Sequence, residues 1–410
     1  MILFTNEKTI KHFSSLIYIS LIISLIAMIF DVKIASKIFN TIGIISTVLL
    51  FLNRNKIKKE NILIPLSILF LCITNLIWEQ IYKNSESEII GLYYSYHNLM
   101  KILFLGSSLT LFVMTFSSKH TLSKKMLNVI YTIPLFLILY YLLSEPEVRF
   151  SISDRIATSS AYMISFIGIL TSQYILLKTE KKNLLSYFIN YIVFFTIILL
   201  TGTRAAILAY PFLSAIVLIP AILKDKKINL KLIILFIMVN IFCLVACQKT
   251  IMSRSENLIS DINMYNQSNS ESSVGARIAM YRSGLTSFIH APMGQSAESR
   301  QLDIQKQVEE NPSLSGAALM TGIHLHNELI ESISLKGIIG GVALLFLYAS
   351  LIYFSLFTLK DYALISLTLS LIIYGLSDVI FYGKNTTTVW VVTYCLSILL
   401  VKRNNNRETQ

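Results

Sequence analysis

The sequence is poor in charged residues. Asp, Glu, Lys and Arg together make up 14% of its 410 residues, about half of the fraction that is usual in soluble domains. So few charges do not cover a water-exposed surface, which excludes a mainly soluble fold. Instead, 54% of the residues are hydrophobic, and they form runs of roughly 17 to 22 residues, close to the ~20 that cross ~30 Å of hydrocarbon as a helix. The composition predicts an all-α, polytopic membrane protein.

Cysteines are few as well. The four that are present all fall inside apolar runs: Cys72, Cys243, Cys247 and Cys395. Their spacing fits neither a metal site nor paired extracellular disulfides, so we interpret them as small hydrophobic residues. The net charge is +12, but the basic residues lie between the apolar runs and not in a soluble basic domain, which argues against nucleic acid as a partner.

Several catalytic motifs are absent. The chain contains no Asp-x-Asp, His-Glu-x-x-His, P-loop or Gly-x-Ser-x-Gly sequence. It therefore lacks the paired acids with which many metal-dependent enzymes hold a diphosphate, and we expect neither a metal nor another cofactor.

About twelve apolar runs are long enough to be membrane-spanning helices. Their predicted ranges are 13–30, 38–53, 62–78, 99–116, 126–144, 157–177, 184–201, 205–223, 230–247, 331–357, 362–382 and 387–401. No small-residue cleavage site follows the first run, so we expect it to be retained as a helix and not removed as a signal peptide.

The loops between these runs differ in charge. The short basic loops are 54–60, 117–125, 178–182 and 224–231, together with the tail 401–407, whereas 79–90, 145–155 and 382–387 are mixed or acidic. By the positive-inside rule, the basic loops and both termini are cytoplasmic. That arrangement requires an even number of spans, in agreement with twelve.

One loop is far longer than the others. Residues 248–330 form a polar segment of roughly 80 residues on the outer side, too long for a simple connection and therefore expected to be functional. It divides the chain into a nine-helix region (1–247), the long loop (248–330) and a three-helix region with a cytoplasmic tail (331–410). Within the loop, 281–291 has helical periodicity that ends before Pro292, whereas 261–273 is rich in turn-forming residues.

Two arginine segments lie on the outer face. Arg204 ends the sequence Thr-Gly-Thr-Arg between two predicted spans, and its planar guanidinium suits a phosphate or diphosphate; the alternative is an arginine that anchors a helix end. Arg277 and Tyr281 share one face of a predicted helix, whereas Arg282 points elsewhere; the alternative is an amphipathic helix lying on anionic head groups. Two such arginines on one surface could hold a diphosphate from both sides.

A third polar segment contains His324, His326 and Asn327, where the long loop returns to the membrane. Histidine is the natural general base near neutral pH, although a single interfacial histidine is more often a hydrogen-bonded cap. The His-x-His spacing places the two rings on opposite sides of an extended chain and about 200° apart in a helix, so we do not expect a two-histidine metal site. Asp378, near the outer end of a predicted span, is either a functional acid or a partner for an arginine.

These residues resemble the bacterial O-antigen ligases, which share an architecture with O-antigen polymerases. The resemblance rests on His326-Asn327 followed by nine residues, Gly337, two residues and Gly340. The Thr-Gly-Thr-Arg segment and the order Arg277, Tyr281, Pro292, Gly294 are similar to that family's arginine segments, although a tryptophan is expected more often at Tyr281.

The resemblance implies about twelve helices with one long periplasmic loop, an architecture like that of GT-C membrane glycosyltransferases. It implies metal-independent, inverting transfer of O-polysaccharide from undecaprenyl diphosphate to the outer-core sugar of lipid A-core, at the periplasmic face of the inner membrane. The partners would be the lipid-linked donor, the lipid A-core acceptor and membrane lipids.

The resemblance also assigns roles to residues. His326 would be the base, with His324 a less important neighbour, and Arg204 and Arg277 would bind the diphosphate. Supporting roles would fall to Asn327, Asp378, Arg282 and Tyr281. Gly337 and Gly340 would allow close packing against a neighbouring helix.

Three alternatives remain open from the sequence. An O-antigen polymerase would use a similar outer site with a different acceptor, and the histidine-amide-glycine spacing favours the ligase. A flippase of lipid-linked sugars should carry charges through the middle of several spans. A purely structural membrane protein would not need three polar segments on one face.

Overall fold

The computed structural model describes residues 7–116, 128–144, 149–152, 156–177, 183–223, 228–267, 269–319 and 322–408. Within these ranges all regular structure is helical and no strand occurs, which confirms the predicted all-α class. The helices are α1 (Glu7–Phe30), α2 (Val32–Leu52), α3 (Leu63–Tyr82), α4 (Ile90–Phe116), α5 (Ile133–Leu143), α6 (Ala157–Leu176), α7 (Asn183–Thr201), α8 (Arg204–Ile222), α9 (Leu230–Ala246), α10 (Gln248–Asn266), α11 (Ser273–His290), α12 (Ala297–Glu310), α13 (Ser315–Ala318), α14 (Glu328–Tyr353), α15 (Tyr362–Gly375) and α16 (Lys384–Glu408).

The described ranges contain nine helices that are long and apolar enough to cross a membrane, or ten if α9 and α10, which meet at a bend of 80°, form one broken span. Two further apolar segments, Asn128–Leu143 and α15, have 10 to 17 residues and so extend over at most about 26 Å. Each predicted span therefore has a helical counterpart. The multi-pass character is confirmed, but the count of twelve is not.

The bundle has a buried centre and a peripheral helix. In both α6 and α16, 89% of an 18-residue apolar stretch is buried inside the protein. Helix α9, in contrast, buries only Leu232 and Cys243. All four cysteines are buried and unpaired, which agrees with their interpretation as small hydrophobic residues.

The long loop is mostly helical. Helix α11 ends at His290, as the periodicity before Pro292 predicts. The prediction of a turn-rich segment over 261–273 is wrong for 261–266, which belong to α10. Asp261 pairs with Arg204 at 3.1 Å, and its carbonyl accepts from the Ser272 hydroxyl at 3.2 Å, so tertiary contacts hold as helix residues that individually favour turns. Several charged loops lie outside the described residues, namely 117–125, 178–182, most of 145–155 and half of 224–231.

Helix α14 is broken at Gly337, where φ is 63° and ψ is −155°. The loop 292–295 fills the break: the Ile338 amide donates to the Pro292 carbonyl at 2.9 Å, and the Gln295 amide donates to the Leu335 carbonyl at 2.9 Å. A Cβ on Gly337 would overlap the Pro292 carbonyl oxygen. The predicted reason for this glycine, packing against a neighbouring helix, is therefore wrong, because its close neighbour is a loop.

Gly340 has a different close neighbour. A Cβ there would lie 2.6 Å from the Ser332 carbonyl oxygen of the same helix. The kink in α14, and not an adjacent helix, accounts for this second glycine.

Candidate functional site

A cavity of about 270 Å³ lies where α8, α10 and α11 meet, and four arginines line it: Arg149, Arg204, Arg254 and Arg277. Arg204 and Arg277, predicted from the sequence, are thus brought together, whereas Arg149 and Arg254 were not predicted. The remaining lining residues are Thr158, Tyr162, Gly202, Thr203, Ala205, Asn257, Ser260, Asp261 and Ser273. We call this space the arginine cavity.

Arg204 is the first residue of α8. Its Nη1 lies 3.1 Å from Oδ2 of Asp261, and its Nη2 donates to the Arg254 carbonyl at 3.3 Å. Two residues earlier, Gly202 has a φ of 61°, and a Cβ there would lie 2.7 Å from Nε of Arg254. The glycine therefore allows the Arg254 guanidinium to approach the backbone closely.

Arg149 holds the turn that precedes α8. Its Nε donates to the Thr201 carbonyl at 2.6 Å, and its Nη2 donates to Thr203 Oγ1 at 3.1 Å. Burial lowers the pKa of Arg149, and the charges of Arg254, Arg204 and Arg277 lower it further. The four cations are therefore close enough to repel one another, and a polyanion bound among them would relieve that repulsion.

Arg277 is half-buried on α11 and forms no ion pair with an acid in the part of the chain that the structure describes. Tyr281 lies one turn further along the same face, as predicted. Its hydroxyl is 2.9 Å from the His326 carbonyl oxygen and 3.0 Å from the Leu376 carbonyl oxygen, and it donates to one at a time. Arg282 is exposed and does not line the arginine cavity.

Residues 322–327, which we call the histidine loop, bring two imidazoles to one carboxylate. Nδ1 of His326 lies 3.3 Å from Oδ1 of Asp378, and Nε2 of His324 lies 3.7 Å from the same oxygen. Both approaches are within the range of an ion pair, but neither is aligned as a hydrogen bond.

The expectation that the two rings would point apart is wrong. His326 has a positive φ of 51°, and this turn brings the ring centroids to 4.3 Å. The ligand atoms of His324, His326 and Asp378 all lie within 4.8 Å of one another, close enough to hold a metal ion. Metal independence therefore stays a prediction that requires an experiment.

The two histidines have different surroundings. The His326 amide donates to Nδ1 of His324 at 3.2 Å, so a neutral His324 carries its proton on Nε2, facing Asp378. Burial lowers the pKa of His324 to about 4, which makes its imidazole neutral and weakly basic near pH 7. Burial raises the pKa of the Asp378 carboxyl, but the neighbouring imidazoles outweigh it and the pKa is lowered, so Asp378 is an anion near neutral pH.

Asn327 is the N-cap of α14. Its Oδ1 accepts from the Leu329 amide at 3.1 Å and from the Ile330 amide at 3.0 Å. Its Nδ2 donates to the Leu376 carbonyl at 3.1 Å. Asn327 thus fixes the start of α14 and ties it to the segment that carries Asp378.

A buried ion pair holds the backbone of the histidine loop in place. Nη1 of Arg300 lies 2.7 Å from Oε2 of Glu331, and both side chains are 1% exposed. The same Glu331 oxygen accepts from the Leu325 amide at 2.9 Å, and Oε1 accepts from the Tyr96 hydroxyl at 2.9 Å. Glu331 therefore holds the residue between the two histidines.

The arginine cavity and the histidine loop are adjacent. Tyr162 lines the cavity, and its hydroxyl lies 3.4 Å from Oγ of Ser377, the residue before Asp378. Burial raises the pKa of Tyr281, while the charge of Arg277 lowers it and that of Asp378 raises it, so Tyr281 lies near both charges. An imidazole, a carboxylate and a cationic cavity thus form one site.

Comparison with known proteins identifies the family. A family profile described as O-Antigen ligase matches residues 189–345. A protein named O-antigen ligase from Escherichia coli (strain K12) is 32% identical over 395 residues, which cover 95% of this chain and 93% of that protein. The chain belongs to the O-antigen ligase family.

As an O-antigen ligase family member, the protein is an enzyme that joins O-antigen to lipid A-core in lipopolysaccharide biosynthesis. The family implies, in general terms, a lipid-linked polysaccharide donor and a lipid A-core acceptor. The matched segment contains Arg204, Arg277 and His326, whereas Arg149 and Asp378 lie outside it.

Three arginines of this O-antigen ligase family member were missed from the sequence: Arg149, Arg254 and Arg300. None belongs to a recognisable motif. The only signal for the first was its position just after two acids, Glu145 and Glu147, in the loop 145–155. Arg300 lies on α12, a polar helix whose sequence gives no indication of a buried charge.

Proposed function

We propose that the protein transfers O-polysaccharide from undecaprenyl diphosphate to the outer-core sugar of lipid A-core, at the periplasmic face of the bacterial inner membrane. The observation that supports this most is the adjacency of the arginine cavity to the His326–Asp378 pair. Such a site offers a base for an acceptor hydroxyl beside positive charge for a departing diphosphate.

The diphosphate lies, in this proposal, between Arg204 and Arg277. Arg149 and Arg254 add charge from two other sides of the cavity. Negative charge grows on the bridging oxygen as the glycosidic bond to the donor sugar breaks, and preorganised guanidinium groups stabilise it. Losing one such donor typically lowers the rate by about 10² to 10³-fold.

His326 acts as the general base. It accepts the proton of the acceptor hydroxyl as that oxygen attacks the anomeric carbon, and the diphosphate leaves from the opposite side. Because one displacement occurs, the anomeric configuration inverts. Asp378 orients the imidazole and stabilises its protonated form, a role that carboxylates commonly take beside a catalytic histidine.

The other predicted residues position this machinery. Tyr281 links α11 to the His326 backbone, and Asn327 fixes the start of α14. Arg282 is exposed outside the cavity, so its supporting role does not include direct contact with the diphosphate. The region 248–330 is the periplasmic element of the molecule, between a nine-helix region and a three-helix region.

Transfer by the purified protein tests this function. With a lipid-linked O-polysaccharide donor and lipid A-core, we expect product to form in the presence of EDTA, because the donor is already activated and arginines supply the positive charge. His326→Ala should lower the rate by about 10² to 10⁴-fold, the usual contribution of a general base. A wild-type rate in His326→Ala overturns the assignment of the base.

The same assay tests metal independence. Activity that is lost in EDTA and restored by a divalent ion would show that His324, His326 and Asp378 hold a metal. Retained activity in EDTA supports the metal-free reaction.

A further inference from the structure

Asp261 is the one acid among the described residues that line the arginine cavity. It lies on α10, and its Oδ2 is 3.1 Å from Nη1 of Arg204. A diphosphate bound at Arg204 would pair with the same guanidinium group. Asp261 and the proposed donor therefore compete for one cation.

The geometry of this ion pair favours exchange. The contact uses one carboxylate oxygen and one guanidinium nitrogen, and the side chains of Arg204 and Asp261 are 28% and 15% exposed. A pair with one contact and partial access to solvent is weaker than a bidentate Arg–carboxylate pair. A diphosphate carries more charge than a carboxylate and can contact several guanidinium groups at once, so it should replace Asp261.

The wall that carries Asp261 is loosely held. Helix α10 has no fully buried residue and leaves α9 at a bend of 80°. Its Arg254, Asn257 and Ser260 also line the cavity. The Asp261 backbone is tied to α11 by Ser272, whose hydroxyl donates to the Asp261 carbonyl at 3.2 Å, so the backbone can stay in place while the carboxylate leaves Arg204.

We propose that Asp261 is an exchangeable counter-ion of the diphosphate subsite, which pairs with Arg204 before the donor binds and competes with the diphosphate product afterwards. This inference rests on the proposed function, since it assumes that the arginine cavity binds the diphosphate. It makes Asp261 a residue that weakens donor binding and limits retention of the product.

Binding of inorganic pyrophosphate to the purified full-length protein, measured by calorimetry in detergent, tests this role. Asp261→Asn keeps the shape and a hydrogen-bond acceptor but removes the charge. We expect pyrophosphate to bind it about two- to five-fold more tightly than the wild type, the range that corresponds to one partly exposed ion pair. The gain should shrink as salt is raised, because salt screens the pair.

Glu256 provides the matched control. It lies on the same helix, is exposed and does not line the cavity. Glu256→Gln changes the net charge by the same amount, so pyrophosphate affinity should stay at the wild-type value. An equal gain in both variants overturns the proposal, because a general charge effect would then explain it.

A structural role for Asp261 predicts the opposite sign. If Asp261 mainly holds α10 against Arg204, then Asp261→Asn and Asp261→Ala both weaken pyrophosphate binding, and the proposal is wrong. Arg277→Ala tests the proposed function separately. Wild-type pyrophosphate affinity in Arg277→Ala contradicts the arginine cavity as the diphosphate subsite, whereas weaker binding there with no gain in Asp261→Asn contradicts only the counter-ion.

Discussion

At the scale of the residue, the Asp378 carboxylate lies near two imidazoles, those of His324 and His326, whose environments differ. His324 is fixed by the His326 amide and buried, and burial lowers its pKa to about 4. A neutral imidazole with so low a pKa is a poor base near pH 7. It can nevertheless orient its neighbour, so His326 remains the group to which we assign proton transfer.

The pKa of His324 predicts an acid-sensitive fold. The folded pKa of about 4 lies below the ~6.5 of an unfolded histidine, so the unfolded chain binds this proton more tightly. Stability should therefore fall as the pH drops from about 6.5 to 4. Asp378, whose pKa is lowered in the folded state, acts in the same direction at lower pH.

His324→Asn checks this prediction. The thermal unfolding midpoint in detergent, measured between pH 7 and pH 4, should depend less on pH in the variant than in the wild type. Asn keeps a polar side chain at this position but does not titrate. An identical pH dependence in both proteins would contradict the assignment.

Candidate site residues could be predicted from the sequence where they belong to a recognisable motif. Arg204, Arg277 and His326 stood in recognisable segments, and the structure places all three around one site. The relation of His324 to His326 could not be predicted, because it depends on a positive φ that a histidine adopts only in its tertiary context. Arg149, Arg254 and Arg300 were missed because a single arginine carries no spacing signal.

At the scale of the element, α14 and the loop 292–295 form one unit. The break at Gly337 exposes backbone groups of the helix, and the loop supplies their hydrogen-bond partners. The same α14 is capped by Asn327 and carries Glu331, whose carboxylate accepts from the Leu325 amide. The kinked helix thus connects the loop 292–295 to the histidine loop.

Gly337→Ala should disrupt this unit. Its φ and ψ lie in a region that is essentially restricted to glycine, at a cost of about 1 to 3 kcal/mol for another residue. Overlap of the new Cβ with the Pro292 carbonyl adds to that cost. The unfolding midpoint in detergent should fall clearly.

Gly91→Ala is the control for this substitution. Gly91 is exposed on α4, and a Cβ there meets no atom within 4 Å. Alanine is favoured over glycine in the middle of a helix by about 0.5 to 1 kcal/mol, and the gain is smaller at the second residue of α4, so this variant should be as stable as the wild type or slightly more stable. Equal midpoints for both variants would show that the break at Gly337 is not strained by a side chain.

The existence of the apolar helices could be predicted from hydropathy, but the helical structure of the long loop could not be predicted fully. Helix α10 contains Ser, Asn and Asp, which favour turns, and hydropathy does not predict its 80° bend from α9. The end of α15 at Gly375 could not be predicted from the sequence, because apolar residues continue beyond it.

At the scale of the whole molecule, the fold brings distant residues to one place. Arg149, Arg277 and Asp378 come from an inter-helix segment, the long loop and the segment before the last helix. Their convergence supports a single site for diphosphate binding and proton transfer, and the sequence pattern alone did not specify it. Both termini are cytoplasmic and the site periplasmic in the orientation that we propose.

The lipopolysaccharide of a deletion strain, separated on a gel, tests the central claim most directly. Without this gene, we predict that O-polysaccharide accumulates on its lipid carrier and that lipid A-core carries none, and that the wild-type gene, but not His326→Ala at matched expression, restores long polymer on lipid A-core. A deletion strain whose core carries single repeat units would instead indicate a polymerase. Either that pattern or a normal ladder with His326→Ala would contradict the account.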